Sequence, residues 1–171
     1  MMTHTIKEAF TRSKKALSLR PSLGYGSASS KVTVLDGLTV KMEEGDWSFI
    51  ADMPKQVGGR KKGPTPGVYG RAALGSCLAI SLSMYANYKE IPINKLSVEV
   101  QTDYDDGALF GIGDAPPGYL EVRYIISVES EAPEVIIQEL IEEAERHTPY
   151  LDVFSRAQMC KKILNYSQPN D

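Results

Sequence analysis

The run Gly63-Pro64-Thr65-Pro66-Gly67-Val68-Tyr69-Gly70-Arg71-Ala72-Ala73-Leu74-Gly75-Ser76-Cys77-Leu78-Ala79-Ile80 holds one charged residue and a high density of small ones. Its first four residues read as loop, and Thr65 before Pro66 fits an N-cap followed by proline at the first helical position. The pattern predicts a helix from there to about residue 89. Gly70, Ala72, Ala73, Gly75, Ser76 and Ala79 leave its first half with little bulk, while Leu78, Ile80, Leu82 and Met84 fill the rest. Such a helix is expected to be buried on most sides, and its small residues let another backbone come close. Within it lies Cys77. A thiol in that setting is either a packing group or a redox nucleophile.

Upstream of the helix, residues 52–66 are rich in proline and glycine and read as a loop. Before the loop, Leu38, Val40 and Met42 alternate with polar residues, Glu43-Glu44-Gly45-Asp46 supplies a turn, and Trp47, Phe49 and Ala51 alternate again. That pattern predicts a hairpin. Residues 6–19 read as an amphipathic helix with Ile6, Phe10, Lys14 and Leu17 near one face, stopped by Arg20-Pro21. It is expected to be an arm that docks on a partner surface. The organisation is therefore an N-terminal helical arm, 1–20, and a single domain, 21–171.

Downstream, Leu96, Val98 and Val100 mark a strand, and residues 103–118 a long loop. A second strand places Leu120, Val122, Tyr124, Ile126 and Val128 on one face. Ala132-Pro133-Glu134 opens a helix whose apolar positions are Ile136, Ile137, Leu140, Ile141 and Ala144. A short helix over 148–154 and a strand within 156–164 are expected to close the chain. Strands and helices alternate without the regular beat of a parallel sheet, so the fold class is α+β.

The 171 residues, 42% of them hydrophobic, suffice for one sizeable core. A net charge of -3 gives no basic surplus, so neither nucleic acid nor an anionic membrane is expected as a partner. No run approaches the roughly 18 apolar residues of a membrane span, and the first residues lack the apolar core of a signal peptide. A cytoplasmic protein is expected. Cys77 and Cys160 make no disulfide framework. The acidic turn around Asp103, Asp105 and Asp106 lacks calcium-loop spacing, and no zinc, phosphate-loop or nucleophile-elbow motif is present. No cofactor and no metal is expected.

Taken together, Gly58-Gly59, Gly63-Pro64-Thr65-Pro66 and Ala72-Ala73-Leu74-Gly75-Ser76-Cys77 at this spacing resemble the OsmC/Ohr family, the osmotically inducible and organic-hydroperoxide-resistance proteins. The resemblance covers about residues 38–164. It implies an OsmC-like fold, with antiparallel sheets wrapped around a buried central helix, in an intertwined homodimer with a thiol peroxidase site at the interface. It further implies that Cys77 attacks a peroxide as thiolate, organised by an arginine, for which Arg60 is the first candidate and Arg71 the second.

Two departures from the family pattern shape the expected chemistry. The family's second cysteine falls at Thr148, which cannot form a disulfide, and its glutamate falls where Gly67 and Val68 follow Pro66. Cys160 lies beyond the second-cysteine position, beside Lys161-Lys162, and reads as a packing or surface residue. The chain is thus a divergent member, and the implied cycle uses one cysteine and an external thiol reductant. Cys77 lies too far from Pro66 for the helix end to help it ionise, so activation would come from Arg60, Arg71 or His147. The substrate is expected to be a small organic hydroperoxide. The alternative is a non-enzymatic dimer of the same fold that binds a small apolar ligand while Cys77 only packs.

Overall fold

The computed structural model describes residues 5–168. Helix α1, Ile6–Leu19, starts in a capping box: the Thr5 hydroxyl accepts from the Glu8 amide, and the Glu8 carboxylate accepts from the Thr5 amide. Three strands follow, β1 (Lys31–Asp36), β2 (Thr39–Glu44) and β3 (Trp47–Ala51), paired in that order as an antiparallel sheet. The expected hairpin is therefore a three-stranded meander. The added strand β1 is short in alternation, Val32 and Val34 being followed directly by Leu35, and it is exposed along its whole length.

Register explains the character of this sheet. Val32 pairs with Met42 and Met42 with Phe49, while Val34 pairs with Val40 and Val40 with Ala51. Paired residues point to the same side and alternate residues repeat it, so these side chains and Trp47 form one apolar face. Much of that face is open: Val34 is 66% exposed and Trp47 70%.

Helix α2, Pro66–Lys89, ends at Glu90, which takes the left-handed conformation. It is followed by β4 (Lys95–Asp103), a loop holding the one-turn helix α3 (Asp106–Leu109), and β5 (Glu121–Glu129), which pairs antiparallel with β4. Helices α4 (Glu134–Glu145) and α5 (Pro149–Ser155) complete the regular structure. Leu74, Leu78, Leu82 and Ala86, four residues apart, form the buried stripe of α2. The core joins Leu82 and Ala86 to Leu140 and Ala144 of α4, with Leu96, Val98 and Ile126 of the sheet packed against them. A side chain at Gly75 would come within 3.3 Å of Val100, so the small residue sets how closely β4 approaches α2.

Burial on most sides, expected for α2, is not what the protomer contains. The face opposite the leucine stripe, with Ala72, Ser76 and Ile80, is exposed, Ile80 at 59%. A single chain has only enough layers to cover one side of this helix. Similarly, the strand expected within 156–164 is absent, and residues 157–168 are irregular. Met159, Ile163, Leu164 and Tyr166 there are each more than three-quarters exposed, because no edge of this chain's own sheets is paired with the segment.

Helix α1 lies on the C-terminal half of α2 of its own chain. The Phe10 ring meets Tyr85 edge-on at 5.3 Å and Tyr88 at 4.6 Å, and the Lys14 ammonium sits 5.1 Å from the Tyr88 ring. Lys7 pairs with Glu90 at 2.7 Å.

Candidate functional site

Cys77 sits on the flank of α2, half-buried, with Ala73 and Ser81 one turn to either side. Among the described residues its sulfur makes no hydrogen bond. The candidate cations are held elsewhere in the protomer. The guanidinium of Arg60 pairs with Asp36 of β1, and its backbone amide donates to Asp52 Oδ2 at 3.2 Å. Arg71 donates from Nη1 to Thr102 Oγ1 at 3.3 Å. Six residues separate it from Cys77, which turns the two side chains to different faces of the helix. The ring of His147 stacks on Tyr85 with centroids 5.7 Å apart, and its Nε2 lies 3.5 Å from Glu143 Oε1. Among the described residues no hydrogen bond joins any of these three groups to the thiol.

Thr148 is buried at the corner between α4 and α5, its hydroxyl donating to the Ala144 carbonyl at 2.8 Å. The position is thus filled by a group that ties the end of one helix to the start of the next. Cys160 is exposed in the irregular segment.

The loop leading into α2 is organised by a buried carboxylate. Asp52 accepts from the Met53 amide at 2.7 Å, the Lys62 amide at 3.0 Å, the Thr39 hydroxyl at 3.1 Å and the Arg60 amide at 3.2 Å. Burial pushes its carboxyl upward, but the Lys62 and Met53 amides, the Thr39 hydroxyl and the Arg60 amide together outweigh it. The net shift is downward. Two glycines permit the close backbone packing around this anion. A side-chain carbon at Gly59 would fall 1.8 Å from the Met53 carbonyl oxygen, and one at Gly63 2.4 Å from that of Ile50.

Beyond the loop, the N-terminal end of α2 faces a cavity of about 470 Å³, walled by Met53, Val57, Leu109, Phe110 and Tyr119. Arg71 reaches into it, and Tyr119 donates to the Gly67 carbonyl at 3.3 Å. Nearby, the Arg123 guanidinium holds Asp103 in two hydrogen bonds of 2.5 and 2.9 Å, which keeps that carboxyl below its ordinary range. On the far face of β5, burial and then the Glu145 carboxylate push the Tyr124 hydroxyl up to about 12; Tyr124 donates to Glu145 at 2.9 Å.

Sequence reasoning passed over Asp52 and Tyr119. A lone acid between an alternating strand and a glycine-rich loop is a usable signal for Asp52, because its neighbours offer many free amides. Tyr119 follows a proline-rich loop outside any periodic segment and carries no comparable mark.

A family model described as OsmC-like protein matches residues 58–161. No curated protein matches the chain in sequence. Among solved structures, the fold is similar to that of an OsmC-like protein from Mycoplasma pneumoniae, with a TM-score of 0.64 and 19% identity over 75% of this chain and 87% of that one. An organic hydroperoxide resistance protein from Elizabethkingia anophelis gives 0.60 and 20%, over 77% and 89%. The organic hydroperoxide resistance protein OsmC from Legionella pneumophila gives 0.56 and 14%, over 77% and 91%. At these identities the likeness is one of fold.

Proposed function

The chain belongs to the OsmC-like family, and from that premise we propose that it is a thiol-dependent redox protein that reduces organic hydroperoxides as a homodimer, with Cys77 as its reactive group. The observation that carries this reading is the position of Cys77: a free, half-buried thiol at the margin of the exposed, small-residue face of α2. A second protomer seated on that face would enclose the sulfur and supply the apolar walls that an organic peroxide needs.

Several features support the dimer. The protomer exposes 13376 Å², whereas a compact monomer of 18.8 kDa exposes about 8,300 Å². Exposed apolar side chains recur in elements left half-covered: Val32, Val34, Trp47 and Phe49 on the face of β1, β2 and β3, Ile80 on the open side of α2, and Met159, Ile163 and Leu164 after α5. Surfaces of this size and character mark interfaces.

The dimer also offers a source for the activating cation. Arg60 is the proposed partner of the thiol, reached across the interface. Its present pair with Asp36 is solvent-exposed and so contributes about 0–1 kcal/mol, which makes it easy to exchange. The thiolate attacks the terminal peroxide oxygen; the O–O bond breaks, an alcohol leaves after taking a proton, and the sulfur is oxidised to sulfenic acid. Because Thr148 and not a cysteine occupies the corner, an external thiol condenses with the sulfenic acid, releasing water and forming a mixed disulfide. A second external thiol then displaces Cys77 and leaves as disulfide. A reducing cytoplasm would supply that thiol, and among the described residues no helix is long and apolar enough to cross a membrane.

The test is consumption of cumene hydroperoxide with dithiothreitol as reductant, compared between the unaltered chain and Cys77→Ser. Turnover that disappears with the sulfur supports the reading; equal rates overturn it.

A further inference from the structure

We propose that the cavity at the N-terminal end of α2 binds a small monocarboxylate with an apolar body, its carboxylate held by Arg71. Arg71 is half-buried, and among the described residues its guanidinium has one hydrogen-bond acceptor, the neutral Thr102 hydroxyl, and no ion pair. A guanidinium offers five donors in a planar fork matched to a carboxylate, so most of its capacity is unused.

The neighbouring acids do not fill the gap. Asp103 is engaged by both terminal nitrogens of Arg123, and Asp105 turns its Oδ1 to the Gly107 amide at 2.7 Å. The space beside Arg71 is left open by Gly67. A side-chain carbon built there would stand 3.4 Å from Arg71 Nη1 and 3.7 Å from the Tyr119 hydroxyl oxygen. A carboxylate entering at this point meets the Arg71 guanidinium as its charged donor; the Tyr119 hydroxyl beside it already donates to the Gly67 carbonyl.

Size and charge narrow the ligand further. A volume of about 470 Å³ suits a small organic molecule, and Phe110, Leu109 and Met53 present it with hydrocarbon. Asp106 also lines the cavity without pairing with Arg71, and its negative charge weighs most against a ligand carrying several charges, such as a polyphosphate. The positive end of α2 adds to the preference for a single negative charge.

The test is calorimetric titration of the full chain with 3-phenylpropionate and, separately, its neutral isostere 3-phenylpropanamide. The acid should bind at least about tenfold more tightly than the amide, and Arg71→Met should remove about that advantage while leaving amide binding unchanged. Gly67→Glu should abolish acid binding by placing the protein's own carboxylate beside Nη1. Equal affinities for acid and amide, absence of binding by the acid at millimolar concentration, or an unchanged affinity in Arg71→Met would each overturn the proposal. Should either variant fail to fold, the acid-to-amide comparison on the unaltered chain decides. Equilibrium binding does not require turnover at Cys77, so this proposal and the peroxidase reading fail separately.

Discussion

The two faces of α2 stand in different states of completion. Toward β4, β5 and α4, Leu74 and Leu78 are 0% exposed and the layers close around them. On the opposite side Ile80, two residues further along the same helix, is 59% exposed, and the apolar sheet of β1, β2 and β3 has an equally open face. The open side of the helix mixes small and polar residues, Ala72, Ser76 and Ser83, with the apolar Ile80 and Met84. The closed half is what one chain builds by itself; the open half is the surface that the proposed second copy would cover.

The sharpest way to break this comparison is to charge the open half. Ile80→Glu with Phe49→Glu should halve the mass seen by light scattering, because a buried unpaired carboxylate opposes association. An unchanged mass would show that these faces do not form the interface. In the closed half, Leu78→Ala should leave the mass as it is and lower unfolding stability by about 2–5 kcal/mol in denaturant titrations, the range for emptying a tight core site. The contrast between the two variants, rather than either alone, measures how different the faces are.

Smaller effects are expected where the loop joins the halves. Gly59→Ala would force a methyl group onto the Met53 carbonyl and should lower stability by roughly 3 kcal/mol. Asp52→Asn replaces an anion that accepts four hydrogen bonds, and its melting temperature should fall by roughly 10 °C at neutral pH. The pH dependence has a definite sign. The folded carboxyl lies below its ordinary value of 3.8, so its contribution is complete above that value and is lost as the pH falls through the lower folded one. Melting curves of the two proteins should therefore converge in acid. Least of all, Lys7→Ala removes an exposed pair with Glu90 and should change stability by about 0–1 kcal/mol.

Much of the closed half was legible in the residue pattern. The α1 span, the start of α2 at Pro66 and its end at Lys89, and the apolar positions of α4 follow from capping, proline placement and a 3.6-residue period. The open half was harder to read. Strand β1 has no burial rhythm in the protomer, and the apolar residues after α5, which look like a strand, have no edge to join. Of the candidate site, the place of Cys77 on its helix and the short helix starting near Thr148 were readable, while the hydrogen bond that ties the Thr148 hydroxyl back to Ala144 was not. The pairings of Arg60 with Asp36 and of Arg71 with Thr102 were not, since they join residues 24 and 31 positions apart.

By itself the sequence determined the order and type of most elements and the α+β class, because periodicity, caps and turn residues act over a few neighbours. Tertiary structure alone decided which face of α2 is covered, which partner each arginine takes, and that a cavity opens beside Gly67. Those outcomes depend on distances between segments remote in the chain, which no local pattern encodes.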